Sequence, residues 1–241
     1  MTLPDTASPL GATATIARTM RLLQFGDSML PIGTFAFSNA LESAIQQDVV
    51  TDAATLHTFV RATTRQAARG DGIALLHAHR RALAGDLDGA MAADRAIFER
   101  KLNEEARTMS VRMGRKLAEV AARMGSSDPA ADWLEGIATK RTPGTFPATL
   151  GVVMALHGAP EEDAFAIHQY GTAFMILSAA LRLMRVDHLE VQDILFEVDA
   201  LAPSDHASVV DAPLDAMATF VPMVDVLAAI HVGSHVRLFM S

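Results

Sequence analysis

The sequence predicts an all-α protein, a single compact domain of about eight to ten helices over residues 1–241. Three observations carry this expectation. Apolar residues recur at i, i+3, i+4 and i+7, the spacing that lines one face of a helix. No segment keeps a strict apolar/polar alternation for more than a few residues, so strands have little to build on. Half of the residues are hydrophobic, enough for a contiguous core in a chain of 241.

Residues 1–12 read as a polar lead-in expected to fray; Met1 to Pro9 has neither the basic nor the apolar region of a signal peptide. Ile16, Met20 and Leu23 mark a first helix that should end near Leu30-Pro31, because the residue before a proline is pushed out of the α region. A second helix is expected to start after Gly33. Leu56, Phe59 and Val60 lie behind a Thr51-Asp52 start signal, giving a helix over Thr51 to Arg69 with Gly70 as its stop. Gly70-Asp71-Gly72 and Gly85-Asp86 bracket a helix through Leu75 and Leu76. From Asp88 to Met124 the charges are mixed and Ile97, Leu102, Met109, Met113, Leu117 and Val120 recur at packing positions.

Gly125 to Pro129 reads as a turn, and Lys140 to Pro147 as a longer break. Pro160 opens an apolar helix with Glu161, Glu162 and Asp163 at its start and Arg182 and Arg185 near its end, the order that the helix dipole favours. Ala164 to Leu181 holds no charged residue, but His168, Gln169, Tyr170, Thr172 and Ser178 would need partners within hydrocarbon. A core helix is expected there and a membrane span is not. A helix near Val191 to Leu201, a break at Pro203-Ser204-Asp205 and a last helix from Pro213, restarted around Pro222, complete the chain.

Composition narrows the function. A net charge of −8 offers no footprint for nucleic acid. The absence of cysteine removes disulfides, thiolate zinc sites and thiol nucleophiles, and fits a cytoplasmic protein. No phosphate-binding glycine loop with its Lys and hydroxyl exists, nor a Gly-x-Ser-x-Gly elbow, nor a His-Glu-x-x-His helix, so no catalytic residues are assigned and no enzyme is expected. His231 and His235 lie four apart, with Asp225 upstream, and are the weak metal candidates; a packed or partner-facing pair is the favoured reading. His77 and His79 point to different sides of a helix. Asp71, Glu104, Glu105, Glu161 and Glu162 sit at turns or helix starts, where the dipole accounts for them. The thirteen methionines read as core filling.

Two segments stand apart. Leu30 to Glu42 places Phe35 and Phe37 directly after a Pro/Gly break, so at least one aromatic should be poorly covered and available as an anchor. Val236-Arg237-Leu238-Phe239-Met240-Ser241 keeps apolar residues to the end, where tails are usually polar, and is expected to dock on its own body or on a partner.

At these segments the chain resembles the UreF family of urease accessory proteins. That family's signature Pro-[Val/Ile]-Gly-[Ala/Ser]-Phe-[Ser/Thr]-[Tyr/His]-Ser-x-Gly-Leu-Glu is matched by Pro31, Ile32, Gly33, Phe35, Ser38, Leu41 and Glu42. Its ending is similar to Asp225, His231 or His235, and Arg237 to Ser241. Ala36, Phe37 and Ala40 depart from the pattern, Ala40 standing where glycine is usual. The resemblance implies an all-α, dimeric scaffold that joins UreD (also called UreH) and the GTPase UreG to deliver nickel to apo-urease. The complex handles the nickel, and this chain binds no cofactor of its own. Partner contacts are then expected at Pro31, Gly33, Phe35, Phe37, Ser38, Leu41 and Glu42, and at Arg237, Leu238, Phe239 and Ser241. The alternatives are a ligand-binding helical regulator and a metal-dependent helical enzyme using His231 and His235.

Overall fold

Helix α8 (Phe146–Leu156) is apolar on every side, and its residues from Pro147 to Ala155 are all buried. A helix without a polar face has to sit inside. In a computed structural model, which describes residues 9–124, 128–218, 222–232 and 238–239, it does so against α4 (Ile73–Leu83) and α6 (Glu104–Met124). Contact with α4 is backbone-close: a Cβ on Gly151 would lie 2.4 Å from the Leu75 carbonyl oxygen, so any side chain there would drive the helices apart.

The remaining helices are α1 (Pro9–Gly26), α2 (Leu41–Gln46), α3 (Ala53–Ala67), α5 (Leu87–Arg100), α7 (Asp128–Ala138), α9 (Glu161–Leu183), α10 (His188–Asp199), α11 (Ala202–Val209) and α12 (Pro222–Val232). The described residues contain no strand, and the all-α expectation holds. Helix α9 threads the middle, in contact with α1, α2, α3, α4, α8, α10 and α11. Three apolar clusters result. One is built on Leu75, Met113, Leu117, Met154 and Phe165; the second on Leu41, Leu56, Val60, Ile176 and Leu177; the third on Met91, Trp133, Ala148 and Val152.

Buried polar groups fix the geometry between helices. Asp94 of α5 is wholly buried; its carboxylate accepts from the Thr142 hydroxyl at 2.6 Å, the Gly144 N–H at 2.6 Å, the Thr145 N–H at 2.8 Å and the Thr145 hydroxyl. The Lys140 to Pro147 break is thereby a rigid turn delivering the chain into α8. Arg61 grips Asp205 with two guanidinium nitrogens, one at 3.0 Å, tying α3 to α11. Arg80 does the same to Glu161 at 2.5 and 2.6 Å, tying α4 to the start of α9.

Four expectations are corrected. Helix α1 ends at Gly26 rather than near Leu30, and most of the segment expected to fray, residues 1–8, lies outside the described residues. The stretch after Gly33 makes only a single turn, Thr34–Ala36. Gly70 stops nothing: α3 continues through a π-helical turn, Ala68–Gly72, into α4, where Gly72 lies so close to the Phe165 ring that an added Cβ would come within 2.8 Å of a ring carbon, and the turn is held by tertiary contacts. Pro203 opens α11 instead of breaking the chain, since a first-turn proline forfeits no helical hydrogen bond.

Candidate functional site

The Leu30 to Glu42 segment crosses from one apolar cluster to another. Leu30, Ile32 and Phe37 belong to the first cluster and Ala40 and Leu41 to the second. Gly33 turns the chain with φ +89°, and Asn39 and Ala40 follow in the left-handed region at φ 50° and 65°. That conformation is costly for a residue with a Cβ, which gives the family's glycine at the Ala40 position a physical reason. Ser38 then closes the bend: its carbonyl accepts the Leu41 N–H at 3.1 Å and its hydroxyl the Glu42 N–H at 3.5 Å.

Glu42 connects this bend to the far end of the sequence. Its carboxylate, buried with the residue 3% exposed, accepts the Leu238 N–H at 2.9 Å and the Phe239 N–H at 3.1 Å. The Phe239 ring is buried, and the Arg182 guanidinium carbon lies 4.3 Å from its centroid, a cation–π arrangement. The two segments singled out by sequence thus meet, with Leu238 and Phe239, the described residues of the tail, held on the body of the chain.

The residues expected at partner contacts differ in burial. Phe37, Ser38, Leu41, Glu42 and Phe239 are interior, so within this chain they shape the surface and do not form it. Of the two aromatics after the Pro/Gly break, Phe37 is 4% exposed and belongs to the first cluster, while the side chain of Phe35, on which the expectation of one uncovered aromatic then turns, lies outside the described residues. Pro31 and Gly33 are exposed, and Leu238 is 72% exposed beside the buried Phe239. Phe35 lies in the Thr34–Ala36 turn. Arg237, Ser241 and His235 lie outside the described residues, whereas His231 falls on α12. Among the described residues no three His, Asp or Glu side chains gather as a metal centre would need. His77 and His79 each place Nε2 against a backbone carbonyl, of Ala212 at 2.9 Å and of Ala159 at 2.8 Å.

Sequence reasoning passed over the polar cleft beside the bend. Thr34 and Asn39 of the bend share a cavity of about 170 Å³ with Asp71, Lys101 and His168. Lys101 Nζ lies 2.7 Å from one Asp71 oxygen, and His168 Nε2 is 3.7 Å from the other, within ion-pair reach but too long for a hydrogen bond. Burial alone would push the Asp71 carboxyl up; the Lys101 ammonium and the His168 ring together reverse that and hold it well below the ordinary carboxylate range. The His168 ring stacks on Phe146 with centroids 6.0 Å apart. Asp71 between two glycines was the one available signal, and a helix-start reading had absorbed it.

Comparison with known proteins follows the same lines. The family model for UreF matches residues 50–199. The chain is 53% identical over 222 residues to the urease accessory protein UreF 2 of Brucella canis, covering 92% of this chain and 91% of that protein. The same figures hold for UreF 2 of Brucella abortus. The urease accessory protein UreF of Yersinia enterocolitica is 50% identical over 222 residues, covering 91% of this chain and 96% of that protein.

Proposed function

Because the chain belongs to the UreF family of urease accessory proteins, we propose that it serves urease maturation as a non-catalytic scaffold, holding UreD (UreH) and the GTPase UreG while nickel is inserted into apo-urease. The observation that carries this reading is the Glu42 clasp. It ties Glu42 to backbone 196 residues away and leaves Leu238 exposed beside it, while Pro31 and Gly33 are exposed earlier in the same segment. A scaffold needs a rigid, composite patch of this kind; an enzyme needs convergent reactive groups, and the polar cleft offers instead an acid already neutralised by its lysine. Nickel in this scheme is the cargo of the assembly, and a homodimer in the cytoplasm is the form in which we place the chain.

Co-expression with UreD (UreH), UreG and apo-urease tests the reading. The chain should co-purify with the accessory proteins, and nickel-dependent urease activation should be lost without it. Arg237→Ala should weaken co-purification with its circular-dichroism spectrum and melting midpoint unchanged. Full urease activation in a deletion strain would reject the proposal.

A further inference from the structure

Helix α10 buries Val191, Ile194, Leu195 and Val198 and packs on α3 and α9, and its outward face is unusual in two ways. The first is apolar. Phe196 is 79% exposed and Leu189 75%, and a spacing of seven sets them on one face. The second is electrostatic. Glu190, Asp193 and Glu197 recur at i, i+3 and i+7 and wall an open groove of about 530 Å³, with the start of α3 opposite. Asp193 lies three or four residues from each of Leu189, Glu190, Phe196 and Glu197, so the apolar row and the acidic row share it. No Lys or Arg lines the groove. Glu197 reaches only the His57 ring, at 3.3 Å, and Glu190 accepts the Asp187 N–H of its own helix cap at 2.8 Å. Like charges three and four residues apart oppose a helix. With Asp199, α10 carries four carboxylates and no Lys or Arg, half of the chain's formal net charge of −8.

We infer that this outer face of α10 is the docking site for a basic segment of a partner protein, one that lays an apolar side chain against Phe196 and Leu189 and sets Lys or Arg side chains against Glu190, Asp193 and Glu197. The inference rests on the scaffold reading above and adds the chemistry of one contact. Charge complementarity selects the occupant. An acidic segment, a nucleic acid and an anionic membrane are all repelled by this row, which leaves a cationic protein surface. The apolar pair supplies the register that charge alone lacks. A basic segment is drawn to any acidic surface, but it buries an apolar anchor only where Phe196 and Leu189 stand beside the carboxylates. Repulsion along α10, which no Lys or Arg among the described residues relieves, is relieved when the partner brings its cations.

The test uses the full chain with co-expressed UreD (UreH) and UreG. Carbodiimide-driven labelling with glycine ethyl ester, read by mass spectrometry, should modify Glu190, Asp193 and Glu197 in the free chain and spare them in the complex. Phe196→Ala should weaken binding by about tenfold whatever the salt concentration. Asp193→Asn combined with Glu197→Gln should weaken it by about tenfold at moderate salt and flatten its salt dependence. The double variant relieves repulsion along α10, so its melting midpoint should hold or rise, whereas carboxylates kept for the fold would lower it on removal. Asp132→Asn, at an exposed site on α7, should leave binding unchanged. Protection of the three carboxylates in the isolated chain as its concentration rises would place a second copy on this face and overturn the inference. Wild-type capture with no protection and no loss in the variants overturns it too, and leaves the scaffold reading standing. No capture by the wild type overturns the scaffold reading itself, and this contact with it.

Discussion

Glu42 accepts the backbone N–H of Phe239 at 3.1 Å, and the residues are separated by almost the whole chain. A buried carboxylate holding two N–H groups is worth about 1.5–3 kcal/mol per charged hydrogen bond, far more than an exposed ion pair. Glu42→Ala should therefore release the tail locally without unfolding the body. Amide exchange at Leu238 and Phe239 should accelerate by roughly ten- to a hundredfold, with the α8 amides unchanged. Equal exchange in mutant and wild type would mean that the Phe239 ring and Arg182 hold the tail alone.

The Asp71–Lys101 pair is largely shielded from water, the two side chains being 20% and 12% exposed. Removing one member leaves the other partly buried and unmatched, so Lys101→Ala should cost about 3 kcal/mol in a urea titration. The pH dependence has a definite sign. A folded-state carboxyl below its unfolded value near 3.8 takes up its proton less readily than the unfolded chain does. Its stabilisation is thus complete above about pH 4 and is withdrawn as the pH falls further. The stability gap between wild type and Asp71→Asn should be widest at neutral pH and should narrow steadily below pH 4.

Asp94 acts as a carboxylate cradle for the turn that leads into α8. Asp94→Ala leaves the Thr142 and Thr145 hydroxyls and two N–H groups facing a cavity, and should lower stability by about 3 kcal/mol or more. Asp94→Asn should rescue only part of this, since its NH₂ confronts the donors that the lost oxygen served. Thermal melting of the two variants checks the order.

What the sequence disclosed and what it withheld divide along the range of the interactions. Helix α9, opened by Pro160 and its three acids, is legible because proline, charge and apolar composition all act within a few residues. So is α3, whose Asp52 accepts the Thr55 N–H at 2.8 Å. Gly70 misled because a glycine's local tendency to end helices was overruled by tertiary contacts of the turn, among them the close approach of Gly72 to Phe165, almost a hundred residues away in sequence. The two signature segments were legible individually, but their union was not: nothing local to Glu42 announces that its partners are the amides of Leu238 and Phe239. The Asp71–Lys101–His168 cleft was hidden for the same reason, its members coming from the π-helical turn, the loop before α6, and α9.

Ala40 offers a test of backbone strain separate from any partner. It sits at φ 65° with its methyl fully buried among the second cluster, so two effects oppose each other on mutation to glycine. The left-handed conformation costs alanine about 1 kcal/mol, which glycine avoids, while the lost methyl and the freer unfolded chain cost a similar amount. Ala40→Gly should therefore fold normally with stability within about 1 kcal/mol of wild type. Valine keeps the conformational penalty, adds β-branching that the left-handed region rejects, and brings two methyl groups into a filled core; Ala40→Val should cost more than about 2 kcal/mol. Denaturation midpoints of the two variants decide it, because a valine tolerated as well as glycine would mean that the bend between Ser38 and Leu41 relaxes out of the left-handed region at no cost.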